Sequence, residues 1–203
     1  MSSKKKEISN EQLEQIKVSK LDVFEDSVII LCLLISLSVM LGWIFKIKFI
    51  LTILPESATM KFNTALIFFI ASLNLYIHKR KEKSLIKVYN FLAVAIVSIG
   101  TITIAGYLGF NLFDIDNIFV FDHFSNEFPG KMSPATAVCS VFIGLGFLGN
   151  NSENNFFKNI SRDIILFVSL ISLTNLTSYF FMIPLEERAY FFQTMAFHTS
   201  ILF

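Results

Sequence analysis

The side chains of this 203-residue chain that are best suited to chemistry gather between Gly109 and Ser133, where Asp114, Asp116, Asp122, His123 and Glu127 share one polar stretch. Carboxylates and an imidazole in a single loop could hold a divalent cation or a polar ligand. Their spacing fits neither the short Cys/His pairs of a zinc site nor the alternating oxygens of a calcium loop. A solvated loop is the default, with Asp114, Asp116 and His123 as candidate ligand contacts. Gly144-Leu145-Gly146-Phe147-Leu148-Gly149 matches G-x-G-x-x-G. A dinucleotide fingerprint, however, follows a strand and opens a helix, and these glycines lie inside a helical pattern that starts at Pro134. They read better as a close-packing face, with Ser140 and Gly144 four residues apart. Three N-x-S/T patterns, at Asn150, Asn159 and Asn175, fall where no glycosylation is expected. No nucleophile–base pair, metal quartet or phosphate loop is present. The sequence therefore predicts no enzyme activity, no cofactor and no metal.

The elements that must carry these residues are apolar. Hydrophobic residues make up 54% of the chain, and Phe alone occurs 24 times. Mean hydropathy is +0.62, too apolar for a soluble domain of this size. Uncharged runs at Ser27–Phe45, Val88–Phe113 and Ile164–Ile183 reach the ~18–20 residues of a membrane helix. Asn63–Ile77 and Ala135–Gly149 are shorter but also uncharged. The expected fold class is an all-α membrane protein, a bundle of five full transmembrane helices plus a truncated sixth. From Met195 only nine residues remain, about 14 Å of helix at ~1.5 Å per residue, against about 30 Å of hydrocarbon. A piece of a longer product is expected.

Residues 1–26 form a polar leader carrying five Lys, without the features of a signal peptide. Ser9 and Gln12 suggest a short helix through Glu11–Lys20. The net charge of +1 implies no nucleic-acid partner. Cys32 and Cys139 both fall in apolar segments and read as small buried hydrophobes. With the N-terminus inside, inner segments hold twelve Lys and Arg and outer segments five. That bias predicts a cytoplasmic N-terminus, Lys83 inside and Asp116 outside.

One phrase recurs. Met60-x-x-x-Thr64-Ala65, Met132-x-x-x-Thr136-Ala137 and Met195-x-x-x-Thr199-Ser200 each stand where the chain turns back inward. An outbound helix ending in an aromatic precedes each one: Trp43, Tyr107 and Tyr179. Three parallel two-helix repeats are predicted, at about 27–87, 88–160 and 161–203, the last incomplete. Thr64, Thr136 and Thr199 are expected to tie the first turn of each inbound helix to a neighbouring segment at the outer face, and Met60, Met132 and Met195 to pack beneath it. Ser133 followed by Pro134 reads as an N-cap and first helical residue. Asn63, Ala135 and His198 occupy one equivalent position, a candidate lining for an outer pocket. Residues 27–203 form the predicted membrane domain.

Phe128-Pro129-Gly130-Lys131-Met132-Ser133-Pro134-Ala135-Thr136-Ala137 and Met195-Ala196-Phe197-His198-Thr199 resemble phrases of the form P-G-x-M-S-P-x-T-A and M-A-x-H-T-A. These recur in the N-terminal multi-helix membrane sensor region of bacterial sensor histidine kinases and diguanylate cyclases. Gly109–Phe121, with Phe113-Asp114-Ile115-Asp116, looks like the loop before the second phrase there. The resemblance covers about residues 27–203 and implies a sensory input domain whose PAS, kinase or GGDEF module would belong to a longer parent. No H-box, ATP-binding glycines or GGDEF residues occur here. The expected partners are the lipid bilayer and a second copy of the chain, meeting through transmembrane helices, with the ligand unknown. The alternative is a small transport or structural membrane protein. A carrier would need a polar route across the bilayer, and the helix interiors offer only Thr and Asn.

Overall fold

The computed structural model describes residues 10–54, 57–80, 82–110, 118–124 and 129–203, with side chains from Lys20 onward. Among them every regular element is helical and no strand occurs. The helices are α1 (Asn10–Ile44), the single turn α2 (Lys48–Leu51), α3 (Phe62–Arg80), α4 (Ile86–Tyr107), α5 (Pro134–Asn150), α6 (Asn155–Phe180) and α7 (Phe197–Leu202).

Three spans within these are long and apolar enough to cross a membrane: Lys20–Ile44, Lys83–Tyr107 and Asn155–Phe180. This corrects the expected five full crossings and a truncated sixth. The reason lies in α3 and α5. The last turn of α3 is His78-Lys79-Arg80, so charge takes up part of its 19 residues. α5 has 17 residues, about 26 Å of helix. Both are instead sheltered by neighbours, with α3 packed along α1 and α4, and α5 along α4 and α6.

The leader also differs from expectation. The short helix foreseen at Glu11–Lys20 continues without a break into the first span, making α1 35 residues long. Lys79 at the end of α3 pairs with Asp26 at 2.6 Å and donates to the Asp22 carbonyl at 2.7 Å, so α3 supports α1 beyond the apolar run.

The long helices α1, α4 and α6 end alike. In each, an N–H reaches back five residues to a carbonyl: Ile47 to Gly42, Phe110 to Ala105 and Ile183 to Ser178, at 2.8–3.0 Å. The residue before that N–H is left-handed in all three, Lys46 (φ 58°), Gly109 (φ 88°) and Met182 (φ 52°). This is the Schellman closure, which satisfies carbonyls left open at a helix end. Only the second repeat uses the residue that adopts this conformation without strain.

The closest helix pair is α4 with α5. A Cβ on Gly144 would lie 2.9 Å from the Ala93 carbonyl, and one on Gly100 2.8 Å from the Ala137 carbonyl. The glycine face read from the sequence thus lets two backbones meet, with Ser140 buried on the same helix and bonded to the Thr136 carbonyl at 2.7 Å.

Candidate functional site

The three recurrent phrases fold into one local structure. Each Met sits two residues before its helix, so the phrase places its Thr at the third helical position in α3, α5 and α7 alike. The first i→i+4 bond starts in the same register in each, from Ala65 to Lys61, Ala137 to Ser133 and Ser200 to Ala196. Each Met carbonyl accepts a hydrogen bond from the aromatic near the end of the preceding long helix. Trp43 Nε1 donates to Met60, the Tyr107 hydroxyl to Met132 and the Tyr179 hydroxyl to Met195, all at 2.8 Å. Aromatics at a bilayer interface bury a ring and need a partner for one polar atom, and here the turn backbone supplies it. Sequence reasoning had the aromatics and the Met residues as separate markers. Their bond was hidden because its acceptor is backbone, which no residue type reveals.

The three Met side chains are fully buried, as expected, and each belongs to a different core cluster. Met60 packs with Trp43, Phe62 and Ala196; Met132 with Ile67, Ala71 and Ile96; Met195 with Ala135, Cys139 and Val168. Every cluster joins two repeats, so the three turns interlock around one centre.

In the second copy the Thr hydroxyl stays within its own turn, where it meets the N-cap and not a neighbouring segment. Ser133 is the N-cap of α5, its hydroxyl accepts from the Thr136 N–H at 3.0 Å and meets the Thr136 hydroxyl at 2.8 Å, and Pro134 begins the helix. In the other copies the N-cap positions belong to Lys61 and Ala196, whose side chains cannot accept a hydrogen bond; α7 has no side-chain cap. Thr64 and Thr199 are buried without that box. The recurrence of Thr therefore reflects position more than a shared capping bond.

Of the equivalent residues, Asn63 and His198 are both buried, as is Ala135. Neither ring nitrogen of His198 has a hydrogen-bond partner among the described residues. The third turn is held instead by α6: Asn175 Nδ2 donates to the Met195 carbonyl at 3.2 Å and to Ser200 Oγ at 2.6 Å, and the Ser172 hydroxyl to the Ser200 carbonyl.

The segment between α4 and α5 docks on the turn before α3. Asp122 accepts from Lys61 Nζ at 2.6 Å and from the Gly130 and Phe124 N–H groups at 2.9 Å each. The pair is buried, with side chains 4% and 1% exposed. Burial raises the Asp122 carboxyl, but the Lys61 ammonium and the two N–H donors outweigh it and hold the group at about 2. His123, the neighbouring candidate, is exposed and lies against Phe121, with ring centroids 4.9 Å apart. It points to no shared site. Asp114 and Asp116 lie outside the described residues. Among the described residues no group of three metal-ligating side chains comes together. The acidic residue that organises this region is Asp122. Sequence reasoning missed its pairing because Lys61 lies 61 positions away.

Where these loops meet there is a cavity of about 340 Å³. Lys48, Thr52 and Lys61 come from the first repeat, Phe124 from the second, Glu186 and Gln193 from the third. Phe124 is set in this wall by Asp122 through its N–H, and its ring lies 5.7 Å from that of Trp43. A ligand here would touch all three connecting segments and, through Phe124, the aromatic that secures the first turn.

Comparison with protein-family models, with curated proteins and with solved structures finds no match to this chain.

Proposed function

We propose that this chain is the membrane-embedded sensory input domain of a bacterial signal-transduction protein in the cytoplasmic membrane, with its N-terminus in the cytoplasm. In this reading the fold is built of parallel two-helix repeats, with α3 and α5 sheltered by the three longer spans. The observation that carries it is the aromatic-to-Met carbonyl bond, repeated at one geometry in all three outer turns. Turns so alike, interlocked through shared core clusters and walling one cavity, form a unit in which a ligand at the outer face biases several helices at once. Small shifts of packed helices are one way for such a bias to be passed along the bundle. No catalysis is assigned to these residues.

The reading frame around this segment tests the proposal. Continuation into a PAS, kinase or GGDEF module supports it, and a stop codon directly after Phe203 favours a small transport or structural protein. Topology is tested by single cysteines at Lys83 and Glu186 in a background lacking Cys32 and Cys139. An impermeant thiol reagent applied to spheroplasts should label position 186 and spare position 83; the opposite pattern would reverse the orientation.

A further inference from the structure

We propose that the outer cavity binds a small zwitterionic solute, one carrying an ammonium and an acidic oxygen group a few bonds apart, as in an α-amino acid. The inference rests on the outer face being the input side and adds the ligand class. Its volume, about 340 Å³, lies at the small end of the ~300–1,000 Å³ of ligand sites, which favours a solute over a peptide. Its wall is mixed: Thr52, Ser57, Thr59, Gln193 and Thr194 supply hydrogen-bonding groups beside the apolar surface of Ala58, Phe124 and Leu185. The Thr52 hydroxyl is buried with no partner among the described residues.

Charge narrows the class further. Lys61 is neutralised by Asp122. Among the described residues, the other charged lining groups are Lys48 and Glu186, opposite in sign and from different parts of the chain. A simple anion would be drawn to Lys48 and repelled by Glu186, and a simple cation the reverse. A zwitterion satisfies both, and in doing so bridges the first and third outer loops. A phosphoethanolamine lipid headgroup has the same chemistry, so the test must separate the two sources.

Trp43, the single tryptophan of the chain, reports the site through its contact with Phe124. The full chain is placed in nanodiscs of phosphatidylglycerol only, and its fluorescence is titrated with glycine, L-alanine, taurine, phosphoethanolamine, acetate and ethylammonium. At least one zwitterion should give a saturable change, with acetate and ethylammonium at least 10-fold weaker. Lys48→Gln and Glu186→Gln, both at exposed positions, should each weaken that binding 10-fold or more while leaving the circular dichroism and melting temperature unchanged. If a lipid headgroup is the occupant, nanodiscs containing phosphatidylethanolamine will show the shifted fluorescence without added solute, and both variants will abolish the shift. No saturable response in either lipid, equal responses to acetate or ethylammonium, or binding unaltered in both variants would overturn the proposal. That failure would leave the sensory reading standing, because the reading frame tests it separately.

Discussion

The Met195 carbonyl receives two side-chain donors from α6, the Tyr179 hydroxyl at 2.8 Å and Asn175 Nδ2 at 3.2 Å. Removing one leaves the carbonyl bonded; removing both strands a buried backbone acceptor. Tyr179→Phe deletes only a hydroxyl and should cost about 0.5–1.5 kcal/mol, the net worth of one hydrogen bond. Asn175→Leu keeps a similar volume and loses the amide bonds to the Met195 carbonyl and Ser200 Oγ. Hydrogen bonds between membrane helices average about 0.6 kcal/mol and reach about 1.7, so a loss of about 1–2 kcal/mol is expected. The double variant should exceed the sum of the singles by about 1 kcal/mol, because an orphaned buried acceptor costs about 1–3 kcal/mol. The assay is reversible unfolding of the chain in mixed micelles, followed by circular dichroism, for the four members of the cycle. Residues that do not share a partner add to within about 0.3–0.5 kcal/mol. Additivity within that margin would refute the shared-carbonyl account of the third turn.

Thr136→Val deletes the hydroxyl that meets Ser133 and should destabilise the same preparation by about 0.5–1 kcal/mol; Thr103→Val, at a buried hydroxyl bonded only within its own helix, should cost less in the same melts. The Asp122 carboxyl falls from 3.8 to about 2 on folding. A depressed acid stabilises the fold above its unfolded value and loses that contribution as pH falls through the folded one. About 2 kcal/mol should therefore disappear between about pH 4 and pH 2, and Asp122→Asn should flatten that part of the stability–pH curve. Gly144→Ala puts a methyl 2.5 Å from Val97 Cγ2 and 2.9 Å from the Ala93 carbonyl, and should lower stability by about 1–3 kcal/mol. Gly106→Ala meets nothing nearer than Lys131 Nζ at 3.4 Å and should be tolerated in a parallel thermal melt. Met182→Gly relieves a left-handed residue that is 87% exposed, and should raise the unfolding midpoint by the equivalent of about 1 kcal/mol.

Much of this fold was legible because it rests on local chemistry. Apolar run length marked the three spans, and the Ser133-Pro134 pair marked the start of α5. The spacing of Met and Thr marked three equivalent turns, since a helix begins two residues after each Met whatever surrounds it. Charge next to an apolar run set where α3 could no longer count as a full span, although the sequence had suggested a crossing there. What tertiary structure alone decided is which groups meet. Asp122 and Lys61, 61 residues apart, form a buried pair, whereas His123, one position on, faces outward. The aromatics of the outbound helices meet backbone carbonyls, and Asn175 reaches a turn 20 residues downstream. A carbonyl is the same in every residue, and loop closure brings distant positions together without leaving a period in the sequence. The turns could therefore be counted from residue types, but the bonds that hold them, and the cavity between them, exist only once the three repeats pack.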